Sequence, residues 1–484
     1  MSPDGYEAII GLEVHVQLAT RSKMFCGCDA AVFGAEPNTH TCPICSGQPG
    51  VLPVINRRAV EYAIMAGLAL NCRIAEFTKW DRKNYHYPDL PKGYQISQYD
   101  LPLSYDGWLA VEVDGQERRI GIRRAHLEED TGKLFHRGDS SLVDLNRAGV
   151  PLLEIVTEPD LRSADETYAF LVQLRTLLRY LGISSADMEK GAMRCEPNVS
   201  LRPAGTRQFG IQTEIKNLNS FRAVRAAIAY EIERQTKALE AGHGVARVTM
   251  GWDENRGVTV PQRTKELAED YRYFPEPDLP PLIVDRDWVA RLRAQLPELP
   301  GAKKERFQLA YHLSPYDADV LTADRAVAGF FEGIIQIYRG ESKTVSNWVT
   351  GELFRLLNEA ALSIEETQLN PAAVSELLTM VDHEIINSNT AKAVLEEMFR
   401  TGDAPREIVK RRNLAQISDQ TTLEAAISRV LSDNPEQVED YLAGKETVAN
   451  WLMGQVMRAT RGKANPKVVL ALLTEKLEAL REAH

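Results

Sequence analysis

Between Gly11 and Leu18 the chain alternates apolar and polar positions: Leu12, Val14, Val16 and Leu18 against Gly11, Glu13, His15 and Gln17. A period of two puts these sets on opposite faces of a strand and predicts a sheet with one buried side. The alternation returns in RCEPNVSLR, where Arg194, Glu196, Asn198, Ser200 and Arg202 interleave with Cys195, Val199 and Leu201. In FGIQTEIK, Gln212, Glu214 and Lys216 interleave with Ile211 and Ile215. Alternation alone ordinarily means a solvated outer face, rich in lysine and threonine; three faces carrying histidine, carboxylates, amides and arginine point to a site. Turn residues and short segments up to about residue 290 predict an α+β region built on an antiparallel sheet. A few helices are expected within it, such as SADETYAFLVQLRTLLRYLG, with Ser163 as its cap.

From Trp288 onward the period changes to that of helices. Ser314-Pro315, Asn370-Pro371, Asn434-Pro435 and Asn465-Pro466 each place a capping residue before proline at the first helical position. The rest of the chain is therefore expected to be all-α. Gly402 and Pro405 interrupt the pattern beside the basic run Lys410, Arg411 and Arg412, which predicts a boundary near 405. The expected domains are 1–292, 293–405 and 406–484.

Composition narrows the class. A chain of 484 residues with 44% apolar and 26% charged residues can bury several cores. Its formal charge of −11 leaves only local patches for nucleic acid, the least repulsive stretch being 405–484, with about one net positive charge. No secretory or transit pattern opens the chain and no long apolar run follows, so a cytoplasmic protein without a membrane span is expected.

Of six cysteines, Cys26, Cys28, Cys42 and Cys45 fall within twenty residues as two close pairs. Paired thiolates bridged by a loop suit a tetrahedral structural zinc ion with no open position; a disulfide framework or four unrelated core thiols are the competing readings. Cys72 and Cys195 read as reduced core thiols.

Acids supply the remaining chemistry. Glu154 lies inside the apolar run of PLLEIVTEPD, where an ionised carboxylate needs a cation or a base beside it. HLEEDTGK groups Glu128, Glu129 and Asp130 beside a turn, which by itself is as readily a solvated turn as a site. Convergence of Glu13, His15, Glu128, Glu129, Glu154 and Glu214 would suit magnesium and the phosphates of a nucleotide. The segment from Trp80 to Asp100 adds Arg82, Lys83 and Lys92 among Tyr85, Tyr87, Tyr94 and Tyr99, a rigid basic and aromatic loop able to meet phosphate and stack a base. No phosphate-binding glycine loop, dinucleotide fingerprint or zinc-protease motif is present, and no amidase signature, so ammonia would have to come from elsewhere.

Taken together, GLEVHVQL, CPICSGQPGVLPVIN, DRKNYHYPDLPKGYQISQYD, HLEEDTGK, VDLNRAGVPLLEIVTEPD, MRCEPNVSLRP, EIKNLNSF, DYRYFPEPDLPP and NWLMGQVMRATRGKANP resemble the signature segments of the B subunits of the aspartyl/glutamyl-tRNA amidotransferases, over nearly the whole chain. The resemblance implies a cradle domain related to glutamine synthetase and guanidino-kinase folds, a helical domain and a small YqeY-like helical tail. It implies ATP-dependent phosphorylation of the side-chain carboxylate of Glu-tRNA(Gln) or Asp-tRNA(Asn), then amidation by ammonia. That ammonia would come from the amidase, or A, member of a heterotrimer that also holds a small C member, with a non-discriminating aminoacyl-tRNA synthetase as a further partner.

It implies that Glu13, His15, Glu128, Glu129 and Glu154 form the metal and kinase cluster, with magnesium on His15, Glu128 and Glu154, and that Lys83 and Glu214 flank it. Lys410, Arg411, Arg412, Arg458, Arg461 and Lys463 are then expected to meet the tRNA backbone; their competing reading is solvated or helix-terminal charge. Two rival functions remain at this stage: a non-catalytic tRNA-binding scaffold and a free-standing amino-acid ligase.

Overall fold

The computed structural model describes residues 5–264, 271–416, 420–460 and 463–482. Contacts divide the chain into two compact units, Met1–Pro300 and Gly301–His484.

The first unit is built on a twelve-stranded sheet. Eleven of its strands are β1 (Tyr6–Gln17), β2 (Asp81–Asn84), β3 (Tyr94–Ser97), β4 (Ser104–Val113), β5 (Gln116–Glu129), β6 (Pro151–Thr157), β7 (Met193–Pro203), β8 (Thr213–Lys216), β9 (Val248–Asp253), β10 (Val258–Thr264) and β11 (Phe274–Pro275). The twelfth, Arg73–Ile74, pairs antiparallel with the start of β4, which itself pairs with β5. The main path runs β10-β9-β8-β7-β1-β6-β5-β3-β2-β11. Pairing is antiparallel, as expected, except between β8 and β9, which run parallel.

One face of this sheet is covered. Leu12, Val14 and Val16 of β1, Leu127 of β5, Leu153 and Ile155 of β6 and Val199 of β7 pack against helices Arg57–Ala69, Ala164–Tyr180 and Phe221–Glu240. Ser163 accepts from Glu166 N and caps the second of these, as its sequence predicts. Burying such a layer follows from the strict alternation, because a one-residue slip would turn every valine and leucine to the other side. The opposite face keeps the polar set. Ile211 departs from the expected pattern: it precedes β8 and is 52% exposed, so only Glu214, Ile215 and Lys216 of that segment follow strand alternation.

The second unit is helical and holds two apolar clusters. One gathers residues from Phe307 to Val409, the other from Leu423 to Leu477. Ser314, Asn370 and Asn465 accept backbone N–H groups at their helix starts, each beside a proline that has no N–H to leave unpaired. Asn434 corrects its expectation: its Nδ2 donates to Val430 O at 2.7 Å, closing the preceding helix, and caps nothing after it. The helix Pro405–Arg411 sends Ile408 and Val409 into the first cluster, so the interruption at 402–405 is a turn within one packed body. Gly402 ends the helix before it at φ 75°, a left-handed position that glycine takes without strain. No helix among the described residues is long and apolar enough to cross a membrane.

Candidate functional site

Strand register assembles a row of side chains across the open face. Arg194 of β7 stands opposite His15 of β1, His15 opposite Glu154 of β6, and Glu154 opposite His126 of β5. Glu128 sits two residues beyond His126 and therefore on the same face. His15 Nε2 lies 3.4 Å from both Glu128 Oε1 and Glu154 Oε2. Ligand atoms of His15, Glu128 and Glu154 all fall within 4.8 Å of one another.

The triad is short of positive charge. Glu128 and Glu154 are 3% and 8% exposed, and burial pushes the Glu128 carboxyl up to about 7. Burial alone would lower His15, but the hydrogen bond to Glu154 and the charges of both acids push it up to about 9. Burial would raise Glu154, but His126, His15 and Lys83 hold it well below the usual carboxylate range. Burial lowers His126 itself to about 4, leaving a ring whose Nδ1 has no partner. Two carboxylates and an imidazole around one space form a donor set that fits a hard divalent cation.

Glu13 lies two residues from His15 along β1, directly opposite Glu196. Burial, and then the charges of Glu154 and Glu196, raise its pKa. Glu214 accepts from Thr249 Oγ1 at 3.0 Å, and Lys216 bridges Glu196 and Glu214. Lys83, on β2, enters from the other flank and lowers the pKa of both Glu128 and Glu154 by its charge.

Glu129 is not part of this group. Strand alternation turns it to the opposite face, where Oε1 accepts from Ile96 N at 3.0 Å and pairs with Lys92. Asp130 is buried too, closed off by Arg194, Gln17 and Arg147, so the run 128–130 is no solvated turn. The basic loop is likewise largely committed: Lys92 to Glu129, and Arg82 to Glu276 through two hydrogen bonds of 2.7 and 2.8 Å. Its ends are strands, β2 and β3, that pair with each other. His126, Arg124 and the tyrosines at 271 and 273 escaped the reading of the sequence, although a period of two back from Glu128 points to both His126 and Arg124.

The cysteines behave differently. All four sulfurs lie within 4.8 Å of one another, and Cys42 and Cys45 are 3.9 Å apart. A tetrahedral zinc–thiolate site with bonds of about 2.3 Å needs sulfurs roughly 3.8 Å apart, so the four fit zinc. The Cys26 thiol first, then the backbone N–H of Cys42 and the Lys23 ammonium, bring Cys45 down to about 4 against the opposing effect of burial. Lys23 is 0% exposed, with Nζ 3.6 Å from Cys45 Sγ and 2.7 Å from His40 O. Such a fully buried cation demands an anion, which thiolates provide.

In the helical unit, Arg411 and Arg412 both pair with Glu397, a 6%-exposed acid, and Arg411 also with Asp403. Their charge is spent internally. Lys410 and Arg458 are exposed and Lys463 is half-buried, while Arg461 lies outside the described residues.

Comparison with known proteins gives the family. Residues 8–290 match the family described as the GatB/GatE catalytic domain, and residues 329–477 match the GatB domain. The chain is 55% identical over 476 residues to the B subunit of the aspartyl/glutamyl-tRNA(Asn/Gln) amidotransferase of Moorella thermoacetica, covering 98% of this chain and all of that one. To the B subunits of the same name from Caldicellulosiruptor saccharolyticus and Thermomicrobium roseum it is 54% identical, over 98% of this chain and 100% and 99% of theirs. The chain with half-buried His15 and buried Glu128 and Glu154 on its open sheet belongs to the family of aspartyl/glutamyl-tRNA(Asn/Gln) amidotransferase B subunits.

Proposed function

We propose that the open sheet face phosphorylates a side-chain carboxylate carried by a tRNA, at the expense of ATP, and then hands the activated acyl group to ammonia. Family membership makes the chain one component of a tRNA-dependent amidotransferase, a carbon–nitrogen ligase that draws on glutamine; the proposal is how residues divide the work. The observation that carries it is the convergence of half-buried His15 and buried Glu128 and Glu154, with ligand atoms within 4.8 Å of one another, on the polar face of the sheet.

A carboxylate has no adequate leaving group. One of its oxygens forms a bond to the γ-phosphorus of ATP while the bond from that phosphorus to the β–γ bridging oxygen breaks and ADP departs. Ammonia then adds at the acyl carbon, the carbon–oxygen bond to phosphate breaks, and nitrogen loses a proton. Little of this needs a protein nucleophile; positioning and charge neutralisation carry it. Magnesium, held by Glu128, Glu154 and His15, would neutralise the phosphate oxygens. Lys83 supplies positive charge from the β2 flank, while Glu13 and Glu214, crowded by Glu196, extend the acidic row. A hollow of about 300 Å³ beside Glu13, lined by Gly11, Asn198, Ser200, Phe209 and Gln212, is large enough for the nucleoside.

In this reading the sheet domain is a cradle of the glutamine synthetase and guanidino-kinase type, ending near 292. Because Ile408 and Val409 belong to the first helical cluster, we place the start of the tail after Leu414 and not at 405. The tail meets the tRNA(Gln) or tRNA(Asn) backbone through Arg458, Lys463 and neighbours. The A and C members of the same heterotrimer supply ammonia and assembly, a non-discriminating synthetase supplies the misacylated tRNA, zinc fixes the cysteine loop, and the complex works in the cytoplasm. A scaffold without chemistry is disfavoured, since docking does not require buried, mutually repelling acids.

Hydroxylamine tests the reading. With charged tRNA, ATP and magnesium but no ammonia source, the complex should form a side-chain hydroxamate in an ATP-dependent way, the product of a trapped acyl phosphate and distinct from the α-hydroxamate that hydroxylamine cuts from the ester without ATP. Glu128→Ala should form none while still retaining charged tRNA on a filter. Equal hydroxamate from both proteins would remove the triad from the mechanism.

A further inference from the structure

Beyond β3 and just before β11, two rings lie face to face. Tyr99 and Tyr273 have centroids 3.8 Å apart and planes within 7°. Aromatic pairs prefer offset or edge-on contacts, so a parallel pair of this kind is fixed by its surroundings. Those surroundings are visible. Tyr271 meets Tyr273 edge-on at 6.0 Å and 75°, and Tyr85 meets Tyr271 at 6.1 Å and 71°. Asn84 fastens the backbone, its N–H donating to Tyr271 O at 2.9 Å and its Nδ2 to Arg272 O at 2.8 Å. Lys83 Nζ stands 4.9 Å over the Tyr271 ring.

This platform borders the triad: Ser97 of β3 stands opposite Glu128 of β5, and Tyr99 follows two residues on. The Tyr273 phenol is pushed up chiefly by burial and next by the charges of Glu154 and Glu128. Tyr99, by contrast, is 46% exposed, so packing does not consume its ring. An unpaired base can be held there by stacking, which needs no positive field. The hollow for a nucleoside lies at the other end, around Gly11, four residues or about 13 Å along β1 from His15. In-line phosphoryl transfer requires donor and acceptor to approach from opposite sides, so the tyrosine flank is left to the acceptor.

We propose that the Tyr99–Tyr273 stack seats the unpaired 3′-terminal nucleobase of the charged tRNA, so that the ester-linked side-chain carboxylate reaches the His15–Glu128–Glu154 triad. The inference rests on the function proposed above. Tyr99 is then a positioning residue, and Lys83 the cation nearest the terminal phosphate.

The test uses the intact complex with ammonium as nitrogen donor, varying charged tRNA and ATP separately. Stacking of a base on an aromatic ring is worth about 1–3 kcal/mol, so Tyr99→Ala should raise the KM for charged tRNA roughly 5- to 150-fold, with the KM for ATP unchanged. Tyr99→Phe and Tyr99→Trp should keep the tRNA KM near that of the parent. In parallel, charged tRNA ending in 2-aminopurine should lose fluorescence on binding the parent and the Phe variant but not the Ala variant. An unaltered tRNA KM in Tyr99→Ala, a rise in the ATP KM instead, or equal loss in the Phe and Ala variants would each overturn the proposal. Failure of the function above shows separately, as absence of ATP-dependent turnover in the parent complex while 2-aminopurine quenching still reports on the platform.

Discussion

Two clusters in the sheet unit can each hold a metal, and they are built on contrary plans. The cysteine cluster draws its four donors from Cys26 to Cys45, close in sequence, and would enclose an ion with no position left open. The triad draws three donors from three strands, His15, Glu128 and Glu154, which meet only because the strands pair in one register. A closed thiolate shell serves stability. An incomplete shell of oxygen and nitrogen on an uncovered face leaves room for phosphate and substrate.

The contrast can be broken at several points. The largest expected effect is on turnover: Glu154→Ala should lower kcat for ammonium-driven transamidation by about 10³-fold, with little change in the thermal midpoint. A comparable drop from Cys45→Ala in protein that remains folded would put chemistry at the cysteines and end the distinction. Conversely, stripping zinc with a chelator should destabilise the unit by several kcal/mol, read as a lowered unfolding temperature, whereas removing magnesium should abolish activity and leave that temperature in place.

Glu129→Ala sharpens the same division within one dipeptide. It strands Lys92, whose side chain is 10% exposed, and should cost about 3–5 kcal/mol in urea unfolding while hydroxamate formation per folded molecule persists. Loss of hydroxamate at unchanged stability would return Glu129 to the triad. The smallest effects belong to the helical unit: Arg458→Ala should reduce the slope of log affinity for tRNA against log salt by about one, and Arg412→Ala, already paired to Glu397, should leave it unaltered.

How much of this was legible in the sequence depends on the range over which each feature is encoded. Spacing alone exposed the cysteine cluster, because its ligands lie within one loop. Alternation exposed which face of β1 and β7 is polar, and a capping residue before proline marked four helix starts, three of which it caps. Glu129 was misassigned because adjacency in sequence was taken for adjacency in space, although a strand sends neighbours to opposite sides. Arg82, Lys92, Arg411 and Arg412 were taken for phosphate contacts because their partners, Glu276, Glu129 and Glu397, cannot be paired with them by inspection of the chain. Proline and glycine at 402–405 looked like a domain break; only the burial of Ile408 and Val409 shows a turn within one body.

The pairing of Glu128 with Glu129 also constrains how this chain can vary. The two side chains are chemically identical, and only the parity of their position in β5 makes one face the triad and the other face Lys92. Insertion or loss of a single residue within the strand would exchange their places, delivering the lysine-bound acid to the open face and burying the other without its base. A two-residue change keeps parity and shifts the row instead. Length variation among working relatives should therefore collect in the turns outside β5, while the strand itself keeps its count.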